Sequence, residues 1–593
     1  MQSLNIGSKP SCCNNSNATA CDNAGSLACG NCLMITYCSK RCQVVHWATH
    51  RTDCRSAFMK GTWVPSWVTQ NRAPTFLNDE KPPHTEFGTP KYFWGNVPAI
   101  DVVRLPQNEG IDFQEPLRVL FPASGDMRNA IFSVTSLPPG YKGIFNVVLN
   151  DLEFDIVARN VIFLLIFFVE GNPGVAAEHV LHIWYSALIT ESCHGILLKG
   201  LKPLIEQVCN KIAQKPGSAL LGKTWKFGGS SLRLVLTRDN WFSLLSYFDV
   251  PRGLTKDTAQ QLRQRVVSAP GRVDYVDRAM YTKSPTGKAA MTKFRDDGLL
   301  LPFGQPREEF TTPNPTMFHF GREWPMMDSA DPTSAWSMKS FLEFDIGPAK
   351  NDVYGKLYHY LKHLFANFHR RLRSSPVAFT LLHVDAQRLP MSLTEKGFDR
   401  IDVGNISDEG YLGINMTLKT FAPLLQPVSI NPHATLITLF LNAVPEIRIM
   451  LHVAPRLDPR LALCFFPLTE DPRAQISKVL RYMPELRSQS LITSEHSPDL
   501  VKIKSALALV CDMDGLFNFY MQECQFADVA SSAMLDMKAT NTIIDAWPMK
   551  FQGGRPTEQA KRDFALLLSS NHTGQERYME WKFGAQGIVE DVD

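Results

Sequence analysis

Eight of the chain's 13 cysteines lie between Cys12 and Cys54. A segment of about 45 residues cannot bury enough apolar surface to fold unaided, so these sulfurs must serve as cross-links or as metal ligands. Three intervals decide between the two: Cys29-x2-Cys32, Cys38-x3-Cys42 and His50-x3-Cys54. A two-residue gap lets both sulfurs of a tight turn face one ion, and a three-residue gap on a helix stacks two ligands on one face. The opening MQSLNIGSKPSCC has no charged start followed by an apolar stretch, so a secretory signal is not expected. A reducing compartment, cytoplasmic or nuclear, is the expectation, and there dense cysteines are metal sites before they are disulfides.

Thiolate and imidazole donors suit Zn2+, a d10 ion content with tetrahedral geometry. Adding Cys21 and one of Cys12 or Cys13 gives seven cysteines and one histidine, enough for two four-ligand sites. Such sites are closed, so the metal holds the fold and performs no chemistry. His46 competes with His50 for the histidine position, but only His50 forms the three-residue interval with Cys54. His46 is expected to be an exposed helical histidine.

The stretch TYCSKRCQVVHWATHRTDC resembles the MYND-type zinc finger through Tyr37, Cys38, Cys42, Gln43, Trp47, His50 and Cys54. The resemblance implies interleaved ligand pairs. One zinc would take Cys12 (or Cys13, with Cys12 slightly preferred), Cys21, Cys38 and Cys42. The other would take Cys29, Cys32, His50 and Cys54. The sequence departs from the family at its first pair, commonly Cys-x2-Cys, because Ala18 stands where the first cysteine is expected. The first knuckle is therefore read as enlarged. The resemblance also implies a protein partner docked through a proline-containing peptide, with Gln43 and Trp47 lining the groove. Four residues apart on a helix, those two share a face, although Trp47 could equally cap the module's small core.

Beyond the finger the chain reads as a folded α/β protein. Its 593 residues are 44% apolar, and 61 Lys+Arg against 58 Asp+Glu leave no strong field to attract nucleic acid. The longest apolar run, Val161 to Val169, is far short of the about 20 residues that span a membrane. It is expected to be core.

The text from Lys91 alternates strand and helix. Leu117–Phe121 reads as a strand, a turn follows at Pro122 to Gly125, a helix starts near Asp126, and Asn146–Leu149 reads as the next strand. Similar syntax resumes at VAFTLLHVDAQRLP, FDRIDVGNIS and ATLITLFLNAV. This is the order of a parallel sheet with covering helices. It resembles the S-adenosylmethionine-dependent methyltransferase sheet, and FWGNVPAIDVV with PLRVLFPASGDMRN and NDLEFDIVARN resembles the Rossmann-like N-terminal domain of dynein axonemal assembly factors. Those resemblances imply a cofactor cradle of Gly125, Asp126, Asp151 and Asp385. The single glycine, with Pro122 and Ala123 beside it, makes the grip weaker than a full fingerprint.

Two motifs are discounted. GSALLGKT (217–224) fits the phosphate-loop pattern, but a helical segment precedes it and a strand-like one follows. Asp352 to Arg373 reads as an amphipathic helix whose basic side is a solvated face. No G-x-S-x-G elbow is present, and the Asn-His-Ser-Cys segment that accompanies MYND fingers in SET-type lysine methyltransferases is missing.

The expected organisation is a zinc finger at 12–54, a linker at 61–90, and the first part of a Rossmann-like α/β domain at 91–199. A helical or mixed insertion at 200–375 and the rest of that domain with C-terminal helices at 376–593 complete it. The leading functional expectation is a zinc-binding interaction scaffold holding two Zn2+. An S-adenosylmethionine-dependent methyltransferase is the alternative, and no catalytic residue stands out.

Overall fold

The computed structural model describes residues 13–14, 21, 23–78, 87–450, 472–483, 486 and 497–584. The finger supplies a short antiparallel ribbon, β1 (Leu27–Ala28) with β2 (Thr36–Tyr37), followed by a helix over Lys40–Cys54. The body is built on β3 (Leu117–Phe121), β4 (Phe145–Asn150), β6 (Leu220–Phe227), β7 (Ser230–Thr237), β9 (Val377–Leu382), β10 (Arg400–Asp402), β11 (Thr435–Phe440), β12 (Leu535–Met537) and β13 (Arg577–Phe583). A second small ribbon pairs β5 (Leu188–Ile189) with β8 (Thr312–Pro313).

The nine body strands form one sheet in the order β12-β13-β11-β10-β3-β4-β9-β7-β6. Six neighbours from β11 to β7 run parallel, and antiparallel strands finish both sides. Parallel strands must be covered on both faces, which is why they read as apolar runs. All six residues of β11 are buried. The helix Phe154–Val169 beside the sheet is likewise apolar almost all round, and Val161 to Phe167 are at most 1% exposed. Among the described residues no helix is long and apolar enough to cross a membrane.

Two segments depart from the expectations. The 200–375 stretch is mostly helical, but its hairpin β6–β7 joins the main sheet by laying β7 along β9. Within that hairpin Lys223 sits in the middle of a strand, so GSALLGKT forms no loop that could cradle phosphate. The stretch read as a linker carries two short helices, Ser66–Thr69 and Thr75–Asn78, docked on the body; residues 79–86 lie outside the described ones. Trp67 is 1% exposed and packs with Phe76 and Val501, and Arg72 makes a two-pronged ion pair with Asp274 at 2.6 and 2.7 Å. The prolines that signal a linker say nothing about the tryptophan that anchors one.

Candidate metal centres and the sheet crevice

The finger's backbone brings distant sulfurs together. Cys29 N–H donates to Ile35 at 3.0 Å and Leu33 N–H to Cys29 at 2.9 Å, closing a knuckle in which Leu33 takes a positive φ of 53°. Ser39 caps the following helix by accepting from Cys42 N–H at 3.3 Å. That helix presents Cys42 and, one turn apart, His46, His50 and Cys54 towards the knuckles.

Two groups of four result: Cys13, Cys21, Cys38 and Cys42, and Cys29, Cys32, His50 and Cys54, each with its donor atoms within 4.8 Å of one another. For Zn–S bonds near 2.3 Å a tetrahedron has S–S edges of about 3.8 Å, and an S–N edge of about 3.6 Å. The sulfur separations are 3.6 Å for Cys21–Cys38, 3.5 Å for Cys38–Cys42, 4.0 Å for Cys21–Cys42 and 3.8 Å for Cys29–Cys54. Cys32 Sγ lies 3.5 Å from His50 Nε2. The donor sets and edges fit two Zn2+ in closed sites, with the ligands interleaved along the chain. Cys13 supplies the fourth sulfur of the first group; Cys12, preferred from the sequence, lies outside the described residues.

Electrostatics suit metal binding. Burial pulls His50 down to about 4, so its imidazole is neutral and offers a lone pair at Nε2. Burial raises the Cys29 thiol, but N–H donors at Cys32 and Asn31 outweigh it and bring the thiol below its usual range. The S–H that Cys38 donates to Cys42 Sγ, together with its contacts to other thiols, pushes Cys38 up to about 12 without an ion. A cation would relieve that crowding.

Several supporting residues had no signal in the spacing. Asn31 Nδ2 donates to Cys54 Sγ at 3.2 Å and to the Cys54 carbonyl at 3.3 Å, and Asn23 Nδ2 lies 3.5 Å from Cys21 Sγ. Such groups orient thiolates and disperse their charge. His46 is the clear correction: it is 6% exposed, its Nδ1 lies 3.0 Å from the Tyr37 hydroxyl, and its ring stacks on His50 at 6.2 Å. One turn from His50, it falls on the same inward face.

Gln43 and Trp47 are half-buried on the flank of the helix. Lys40 Nζ donates to Gln43 Oε1 at 2.8 Å, and the Arg55 guanidinium lies 5.4 Å from the Trp47 ring centre.

In the body, the four expected cradle residues do not form one open site. Gly125, at φ 54°, donates its N–H to Asp151 Oδ2 at 2.8 Å, and Asp151 Oδ1 accepts from Glu153 N–H at 2.9 Å. Burial raises Asp151 above the usual carboxylate range. Asp126 turns away, accepting from Gly95 N–H at 2.8 Å and from Arg128 at 2.6 Å. Asp385 is exposed and caps its own loop by accepting from Gln387 N–H at 2.8 Å. The residue that ties the loops together is Asn150, which sequence reading passed over as the end of a strand. Its amide donates to Pro122 and Val384 carbonyls at 2.8 and 2.9 Å and accepts from Val384 N–H at 3.1 Å.

A second unforeseen cluster follows β4. Asp155 accepts from Lys91 and from the Tyr247 hydroxyl, and His319 Nε2 lies 3.1 Å from it. Asp155 was not singled out in the sequence; it lies in the first turn of the helix Phe154–Val169.

Comparison with known families agrees with the geometry. Residues 11–54 match the MYND finger, and residues 93–189 match a domain of unknown function, DUF4470. Neither match is to a dynein assembly factor or a methyltransferase. No curated protein and no solved structure matches the chain significantly. The N-terminal segment, 11–54, is thus a MYND zinc finger, a zinc-binding module for protein interaction, and it precedes a DUF4470 domain.

Proposed function

We propose that the protein is a zinc-dependent interaction scaffold whose finger docks a proline-containing segment of a partner protein on Gln43 and Trp47. The observation that carries this reading is a finger with both zinc sites closed, so that the metal only shapes a surface, and with an amide and an indole half-exposed on one flank of its helix. On this reading the protein works in the cytoplasm or the nucleus, where thiols stay reduced. The test is fluorescence anisotropy of the full chain with a labelled proline-rich peptide chosen by display. Trp47→Ala should weaken binding at least tenfold with two zincs retained, and unchanged affinity would sink the reading.

A second reading, methyl transfer from S-adenosylmethionine by a Rossmann-like body, draws support from strand order. Leaving out the hairpin β6–β7, the sheet reads 3-2-1-4-5 from β9 to β11, the doubly wound arrangement whose order reverses between β3 and β10. A ligand would lie beyond the carboxyl ends of those strands. There, however, the chain's own Gly95 packs so closely on Arg128 that a Cβ at Gly95 would lie 2.1 Å from the guanidinium. Asp402, at the end of β10, is engaged by Asn129 and Gly404. A cavity nearby, lined by Val97, Ile100, Ile544 and Tyr578, holds about 70 Å³. A cofactor of this size needs several hundred Å³, roughly 300 or more. The scaffold reading is therefore preferred, and calorimetry with S-adenosylmethionine separates the two: clear binding abolished by Asp151→Ala would favour the enzyme.

A further inference from the structure

Among the described residues, the finger helix keeps one side exposed to solvent. His46, His50 and Cys54 point inward, whereas Val44 and Val45 are 63% and 47% exposed. Lys40, Val44, Trp47, Arg51 and Arg55 recur at helical intervals of four, three, four and four residues, so they form a single stripe along the outside. Both members of the proposed docking pair sit within this stripe's reach, Gln43 bonded to Lys40 and Trp47 beneath Arg55. Lys40, Arg51 and Arg55 are exposed, and Arg41 is exposed slightly further round. The helix's one acid, Asp53, is half-buried and turned about 160° from Arg51 by the 100° step per residue. A chain of nearly zero net charge has thus placed a row of cations along one helix, with an apolar residue and an indole between them and, among the described residues, no acid paired to them.

We infer that the partner segment is acidic: a proline-containing stretch flanked on both sides by Asp or Glu, its apolar part on Val44 and Trp47 and its carboxylates on Lys40 at one end and Arg51 and Arg55 at the other. Charge complementarity of this kind sets orientation and on-rate, and an extended proline-rich ligand brings little ordering entropy to the contact. Nucleic acid would meet the same cations. It is the less favoured occupant because the row spans one short helix, includes Val44, and belongs to a chain with no wider basic field.

This inference rests on the peptide-docking reading, and the experiment keeps the two apart. The full chain, its two zincs verified by metal analysis, is panned against a display library with a fixed central proline pair and randomised flanks. The expected result is enrichment of Asp and Glu on both sides. With Arg51→Glu/Arg55→Glu the preference should shift towards Lys and Arg, and the best wild-type peptide should bind the double variant at least tenfold more weakly. Arg51→Glu alone leaves the Arg55–Trp47 contact in place and should give part of that loss. Selection of the proline core with the same flanks on wild type and variant would overturn the charge inference and leave docking intact. No selection on wild type beyond that on Trp47→Ala would overturn docking itself. A labelled DNA duplex that binds wild type more tightly than the selected peptides, and is released by the double variant, would assign the cations to nucleic acid and overturn the inference.

Discussion

The two zinc groups have the same ligand chemistry, apart from one histidine, but opposite surroundings. Cys29, Cys32, His50 and Cys54 are all buried, whereas Cys21, Cys38 and Cys42 of the other group are half-exposed. The inner group is also tied to the body, since Asn351 donates from its side chain to the Cys32 carbonyl at 3.1 Å and from its backbone to the Leu33 carbonyl at 3.0 Å. The difference teaches that the inner group is the one fastened to the body through its knuckle, while the outer group is the more exposed of the two.

The sharpest way to break that contrast is to remove one ligand from each side. Cys32→Ser should lower the zinc content from two to one per chain and undock the finger, exposing residues 55–78 to limited proteolysis. Structural zinc contributes on the order of 10 kcal/mol to such modules, so the effect should be the largest of the series. Cys38→Ser should lose one zinc as well, but with the protease pattern of the body unchanged. Equal proteolysis of the two variants would abolish the distinction. A chromogenic chelator should likewise release zinc in two phases, with the fast phase missing in Cys38→Ser.

Acid should act on the body and finger alike, with a sign set by buried histidines. Burial holds the fully enclosed His182 down to about 4. The unfolded chain binds a proton at this position below about pH 6.5, which the folded chain refuses until about pH 4. Stability is therefore lost as pH falls through that window, by about 3 kcal/mol at pH 4 from this group alone. Denaturant melts from pH 7 to 4 check this, and His182→Gln should flatten the slope.

Smaller effects refine the inner site. Asn31→Ala removes the donor to Cys54 Sγ and should weaken the inner zinc by about 10–100-fold in a competition titration, leaving the outer one unchanged. Asn351→Ala removes one hydrogen bond to the knuckle and should loosen docking by about 1 kcal/mol with both zincs kept, read as faster hydrogen exchange in 29–35.

What could be read from residues alone follows from the range of the forces involved. The ligand spacings are local geometry, so the chelating pairs were legible from them; their interleaving came only with the resemblance to the MYND finger, and of Cys12 and Cys13 it is Cys13 that the described residues bring to the first group. Likewise β3, β4, β9 and β11 announce themselves as short apolar runs, because a parallel strand is buried on both faces. The hairpin β6–β7 looked like insertion because nothing in LLGKTWKF shows that its neighbour will lie along Val377–Leu382. His46 was misread because its burial depends on a partner, Tyr37, in another element. The filled crevice was the least legible, since Gly95, Asp126 and Arg128 meet only once the segment before β3 has folded over the strand ends.

The detour between β4 and β9 sets a timetable for synthesis. Phe145 pairs with Val377, so one edge of β4 has no neighbour until the whole intervening stretch has left the ribosome. Trp67 waits longer still for Val501. The zinc finger, whose ligands end at Cys54, can close first. It then stands complete ahead of a body whose sheet is still open, a state in which exposed strand edges invite the wrong partners.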